Sequence, residues 1–222
     1  MAVERIVTID GPSGAGKSTI SQLLAARLGY TFLDTGAMYR AVGLKIERSG
    51  VACDSCGALA QLLAGIDLQL KTDGGETRVI LDGEDVSEAI RTPEMSMVAS
   101  RVSAIPAVRA KLTSLQREIG GRGEVVAEGR DMGTVVFPRA AWKFFLDATP
   151  EERARRRVLQ LEEQGQPTDE EETLALIIER DRADSSRTLA PLKPAEDGVI
   201  IDSSQMTIAE VVSFMAERVS ET

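Results

Sequence analysis

Three observations predict an α/β fold built on a parallel sheet. An apolar run, Ile6-Val7-Thr8-Ile9, enters a glycine-rich turn and leaves it on a helical pattern. Later short apolar runs end in polar residues, as strands do when they bring ligand-binding groups to the carboxyl edge of a parallel sheet. Between residues 66 and 86 the hydrophobic period falls to two and turn signals interrupt it, which marks a small antiparallel insertion.

The first strand covers residues 5–10. The turn after it, Gly11-Pro12-Ser13-Gly14-Ala15-Gly16-Lys17-Ser18-Thr19, matches GxxxxGK[ST]. Its glycines permit torsions and close approaches that a Cβ would block, so successive amides can turn towards a polyphosphate. Lys17 supplies a charge for β- and γ-oxygens, and Ser18 is the candidate Mg²⁺ ligand. The following helix runs to Leu28, with Ile20, Leu23, Leu24, Arg27 and Leu28 on one face and Gly29 as its stop. The whole stretch Gly11 to Thr19 is therefore expected to bind a nucleoside triphosphate, and the acceptor of its phosphoryl group is a separate question.

A second strand at residues 30–33 meets Asp34-Thr35-Gly36 and a helix over 37–48, a smaller copy of the opening junction that puts Tyr39 and Arg40 near a helix start. Seen alone, Arg40 fits either a ligand or an exposed helix arginine. Residues 58–65 read as a helix, followed by the insertion with Asp73-Gly74-Gly75 as a turn. Thr92-Pro93 starts a helix with Met95, Val98, Val102 and Ile105 on its apolar face. Pro106 breaks it, and Val108, Leu112, Leu115 and Ile119 line the next, which ends at Gly120-Gly121.

Residues 124–127 are the third strand and end in Glu128-Gly129-Arg130-Asp131-Met132-Gly133-Thr134. The fourth strand covers 142–147 and the fifth 199–202. A final helix over 207–219 turns Ile208, Val211, Val212 and Met215 inward. Between the last two strands, Thr149-Pro150-Glu151-Glu152 starts one helix and Thr168-Asp169-Glu170-Glu171 another, with a pause at Gly165-Gln166-Pro167. The pair carries Arg153, Arg155, Arg156, Arg157, Arg180 and Arg182, and would serve as a lid.

Composition narrows the function classes. A chain of 222 residues, 43% apolar, suits a single α/β domain. No apolar run approaches the ~20 residues of a membrane span, so a cytoplasmic protein is expected. A net charge of −9 argues against nucleic acid or anionic membranes as partners. Local arginine clusters in an acidic protein suit a small anionic ligand instead. The chain has no histidine, which excludes Ser-His-Asp and histidine-metal chemistry, and the Cys53/Cys56 pair lacks the four ligands that zinc prefers.

The combination of Gly11-Pro12-Ser13-Gly14-Ala15-Gly16-Lys17, Asp34-Thr35-Gly36-Ala37-Met38-Tyr39-Arg40, Gly129-Arg130-Asp131-Met132-Gly133-Thr134-Val135-Val136, and Arg180-Asp181 through Ala190-Pro191-Leu192 resembles the bacterial cytidylate kinases nearly end to end. The resemblance implies a P-loop nucleoside monophosphate kinase fold: a five-stranded parallel sheet flanked by helices, a small antiparallel β insertion and a helical lid. It implies one domain over 1–222, with core segments 1–57, 96–149 and 186–222, a monophosphate-binding insert near 58–95 and a lid near 150–185. The implied reaction is ATP with CMP or dCMP, in the presence of Mg²⁺; the lack of heptads or a long apolar surface helix makes a monomer the expectation.

By similarity, Asp131 accepts from the cytosine amino group while Ser100 and Arg109 donate to the ring. Uracil would leave that carboxylate facing a carbonyl. Arg40, Arg130 and Arg187 are assigned to the monophosphate, Arg180 and Asp184 to the ribose, and Thr35 and Tyr39 to the same acceptor. Lys17, Arg130, Arg153, Arg157 and Arg180 are assigned to catalysis. No strong base is needed, because a phosphate with its second pKa of about 6 is already mostly ionised near neutrality. The chain departs from the usual spelling at Ser18, where many members have Gly, and at Glu128, where Asp is common. Both departures bear on magnesium. The alternatives are another small-molecule kinase of UMP/CMP, adenylate or shikimate type, or a nucleotide-dependent switch protein. The Arg130-Asp131 loop and the β insertion speak against adenylate kinase, and the missing NKxD motif against a GTPase switch.

Overall fold

The computed structural model describes residues 4–52, 56–73, 76–163, 165–166 and 168–221. The Cys53/Cys56 pair, the Gly74-Gly75 turn and Pro167 lie wholly or partly outside the described residues. Two compact units are formed, residues 1–31 with 123–222, and residues 32–122.

The first unit is built on β1 (Glu4–Asp10), β6 (Val125–Gly129), β7 (Ala140–Asp147) and β8 (Val199–Asp202), with α1 (Lys17–Leu28), α6 (Pro150–Glu163), α7 (Glu170–Ser185) and α8 (Ile208–Ser220). With β2 (Thr31–Asp34) they make a parallel sheet of order β2-β6-β1-β7-β8. Strand β1 runs between β6 and β7, and Ile6, Val7 and Ile9 are buried there, as a strand covered on both faces requires. Its register pairs Asp10 with Gly129, so the turn after β1 starts beside the Arg130-Asp131 turn after β6. That shared carboxyl edge is where such sheets place ligands.

Three details of this unit correct the sequence reading. Helix α1 buries Lys17, Ile20, Ser21, Leu24 and Ala25, while Leu23 is 47% exposed and Arg27 faces outward, because the buried stripe follows the glycine turn rather than the leucines. Strand β6 starts at Val125, since Glu124 has φ 54, a torsion no strand accommodates. In α8, Ile208 is 50% exposed. Thr207 caps the helix in a reciprocal pair with Glu210, which turns Val211, Val212, Met215, Ala216 and Val219 inward.

The second unit holds α2 (Thr35–Ser49), α3 (Cys56–Ala64), the antiparallel sheet β3 (Leu68–Asp73), β4 (Glu76–Leu81) and β5 (Glu84–Asp85), then α4 (Pro93–Val102) and α5 (Pro106–Gly120). Helix α2 begins two residues earlier than expected, because the Asp34 carboxylate accepts from Ala37 N–H at 2.8 Å and draws Thr35 and Gly36 into its first turn. Thr92 caps α4, and Met95, Val98 and Val102 are buried as expected, while Ile105 is half-buried as the cap of α5. On α5 the buried line is Val108, Leu112 and Gln116, four residues apart. Leu115 and Ile119 are only half-buried.

Among the described residues no helix is long and apolar enough to cross a membrane. Nor does any group of three His, Cys, Asp or Glu side chains there form a metal cluster.

Candidate active site

The glycine turn between β1 and α1 has the geometry of an anion cradle. Gly16 caps α1 in the left-handed region, φ 87, with no side chain on the helix amides and no acid in the first turn. The orphan N–H groups of that terminus are therefore available to an outside anion. A Cβ at Gly11 would stand 2.0 Å from Leu146 O, so only glycine lets the loop begin so close to β7. Lys17 is buried, and its Nζ donates to Pro12 O at 2.5 Å. Burial, reinforced by the neighbouring Arg130 and Arg180 charges, holds the lysine well below its ordinary pKa, with Glu128 and Asp10 pulling the other way. Ser18 Oγ donates to Glu128 Oε1 at 2.7 Å, so the two positions that depart from the usual family spelling touch each other.

Arg153 and Arg180 both bond to Ser13 of this loop. Arg153, only 3% exposed, donates from Nε to Ala148 O (2.9 Å), from Nη1 to Ser13 O (3.0 Å) and from Nη2 to Asp181 (2.6 Å). Arg180 Nη1 donates to Ser13 Oγ at 3.2 Å. Arg157 is half-buried and donates to Gln160 at 2.8 Å. Beside them, Asp184 accepts from Arg130 Nε at 2.8 Å and from Arg187 through its other oxygen. Burial alone would raise the Asp184 pKa, but the Arg130 and Arg187 charges more than offset it and hold it below the ordinary carboxylate range. Thus Lys17, Arg130, Arg153, Arg180, Asp184 and Arg187 share one unit with the loop, and Asp131, 2% exposed, follows Arg130 directly.

Asp10 closes β1 as a buried carboxylate. Its two oxygens accept from Met132 N–H and Gly133 N–H, each at 2.8 Å. Burial pushes its pKa up to about 7, while those two N–H groups and Lys17 favour the charged form. Met132–Val136 form a single π-helical turn, whose start is closed by bonds from Val135 N–H and Val136 N–H to Asp131 O.

The second unit carries the other expected acceptor residues. Arg40 pairs with Asp34 at 3.3 Å. Arg109 is buried, lies 5.9 Å from the Tyr39 ring centroid and donates to Ser103 O at 3.3 Å. Thr35 is buried in the first turn of α2, and Ser100 is half-buried on α4.

A family model described as Cytidylate kinase matches residues 7–221. The chain belongs to the cytidylate kinase family. It is 53% identical over 216 residues to the cytidylate kinase of a Geobacter species, covering 97% of this chain and 93% of that one. It is 51% identical over 216 residues to the cytidylate kinase of Citrifermentans bemidjiense, with 97% and 93% covered. A solved structure of an uncharacterized protein from Eubacterium ventriosum, 11% identical, aligns over 98% of this chain and 99% of that one with a TM-score of 0.54, and bears on the fold alone.

Sequence reasoning named the loop and the arginines around it, and did not single out Asp10 or Asp181. An acid that ends an otherwise apolar strand was the available signal for Asp10. Nothing local marked Asp181, whose partner Arg153 is 28 residues away.

Proposed function

We propose that this chain transfers the γ-phosphoryl group of ATP to CMP and to dCMP, acting as a cytoplasmic monomer on small molecules rather than on nucleic acid or membranes. Its family makes it an ATP-dependent nucleoside monophosphate kinase. The observation that carries the reading is the convergence of Lys17, Arg130 and Arg180 on an α1 terminus with no acid in its first turn, where burial first and then the two like charges depress the lysine. Polyphosphate is the partner that relieves such repulsion.

On this reading the backbone amides of Gly11 to Thr19 cradle the phosphates of ATP, and Lys17 exchanges Pro12 O for a phosphate oxygen. Arg130, Arg187 and Arg40 hold the monophosphate of the acceptor. Arg180 and Asp184 hold its sugar. Asp131, with Ser100 and Arg109, reads the cytosine edge, while Thr35 and Tyr39 shape the pocket. Alignment and charge neutralisation, with Arg153 and Arg157 contributing from the lid, then account for the chemistry. The insert near 58–95 is the monophosphate-binding region, and the lid near 150–185 closes over the transferred group.

Magnesium favours hard oxygen ligands and keeps several waters, taking one or two protein groups beside phosphate oxygens. The hydroxyl and carboxylate of Ser18 and Glu128, one hydrogen bond apart beside the loop, fit that demand. These two residues would hold the ion, which when bound supplies neutralisation of charge on the transferred phosphoryl group.

The test is a panel of nucleoside monophosphates with ATP and Mg²⁺, following diphosphate formation. CMP and dCMP are expected well ahead of UMP, AMP and GMP; equal turnover of all five sinks base reading by Asp131. Asp131→Asn is expected to lose most CMP phosphorylation while keeping ATP affinity. If ATP affinity collapses instead, Asp131 serves the donor.

A further inference from the structure

The buried carboxylate of Asp10 has no role in the scheme above, yet it joins two parts of it. It stands one residue before Gly11, where the donor loop begins, and its register partner across the sheet is Gly129, one residue before Arg130. Both of its oxygens are used on the far side of that pair, on the N–H groups of Met132 and Gly133. The turn is also confined sterically: a Cβ at Gly133 would stand 2.9 Å from Thr8 Oγ1 and 3.3 Å from two carbons of Lys143. Lys143 is itself held by Pro138 O at 2.7 Å and by Asp197. The Asp131 backbone is thus fixed from both directions, by its own carbonyl accepting from Val135 and Val136 and by Asp10 gripping the two residues that follow.

Two convergent N–H groups need an acceptor with two oxygens. A carboxylate meets both, whereas an amide side chain would turn an N–H₂ towards one of them. An acid is needed here for a reason other than proton transfer. We propose that Asp10 is a positioning residue for acceptor selection: by holding Met132 and Gly133 it sets the turn that presents Arg130 and Asp131, so the residue that opens the ATP loop also governs discrimination between cytosine and uracil. This rests on the reading of Asp131 as the group facing the base.

The experiment compares Asp10→Asn, Asp131→Asn and the double variant with the unaltered chain, each first shown to be folded by thermal unfolding. CMP and UMP are assayed separately with ATP and Mg²⁺, and the Met132 and Gly133 amide protons are followed by NMR. Asp10→Asn is expected to lower the CMP:UMP ratio of kcat/KM by about tenfold, the scale of one lost buried hydrogen bond. The loss should fall on KM for CMP, with KM for ATP within about twofold. The double variant should discriminate no worse than Asp131→Asn alone, and both amide signals should move in Asp10→Asn.

A merely structural Asp10 would lower the unfolding temperature and leave the ratio alone, and that outcome overturns the proposal. So does a loss confined to KM for ATP, or a double variant whose losses multiply. If Asp131→Asn itself leaves the ratio intact, base reading by Asp131 fails. Asp10 is then judged on the amide signals and KM for CMP: both moving upholds a positioning role towards the acceptor, and either one staying put overturns it.

Discussion

At the end of β1 the chain enters α1 through Gly16, whose cap offers no side chain to the helix amides. At the end of β2 it enters α2 through Asp34, whose carboxylate accepts from Ala37 N–H and pairs with Arg40. The two junctions look alike in sequence, each a strand, a small polar turn and a helix. They differ in who supplies the negative charge that a helix N-terminus attracts. The second junction carries its own carboxylate and is satisfied internally. The first has no acid in its own first turn; its nearby carboxylates, Glu128 and Asp10, act on Lys17, and the helix amides stay open to an outside anion. Arg40 reaches Asp34 through Nη2 at 3.3 Å, whereas at the first junction Lys17 rests on a carbonyl, Pro12 O.

Breaking the first junction should have the largest effect. Lys17→Ala is expected to lower kcat/KM with ATP by at least about 100-fold, as loss of a preorganised charge at a transferring group does; an unaltered rate would remove the loop from the mechanism. Making the first junction resemble the second is next. Gly16→Asp gives α1 a carboxylate of its own, at a φ of 87 that strains any side chain, and KM for ATP should rise at least about tenfold. An unchanged KM would show that the missing acid is not what the loop depends on. Stripping the second junction is milder. Asp34→Ala should cost about 1 kcal/mol in denaturant unfolding, the usual worth of a helix cap, and leave KM for ATP where it was. A control elsewhere in that unit is smaller still: Arg48 and Glu84 share two hydrogen bonds, at 2.7 and 3.0 Å, but both are exposed. Glu84→Gln should shift stability by about 0.5 kcal/mol or less, and a loss matching that of Asp34→Ala would erase the distinction between a cap and a surface pair.

Much of the fold was readable because its signals are local. Gly29 stops α1 in the left-handed region, Thr92-Pro93 starts α4, and Thr207 with Glu210 starts α8, all from residues a few positions apart. The glycine turn before α1 was readable for the same reason, since one short motif spells it. What escaped was set by distance along the chain. Ser18 meets Glu128, Asp10 meets Met132, and Arg153 meets Ser13, pairs separated by 110, 122 and 140 residues. No periodicity encodes such partners; only the strand order that puts β6 and β7 on either side of β1 does. The face of α1 was misread because leucines were weighed above small residues, and Ser21 and Ala25 pack inward where Leu23 does not.

The grip of Arg153 has a mechanical consequence. One guanidinium ties Ala148 O at the start of α6, Ser13 O in the loop and Asp181 in α7 into a single knot. Asp181 is therefore the point at which α7 is tied to the loop, and the Glu170 end of that helix lies about 16 Å from it at the ordinary helical rise.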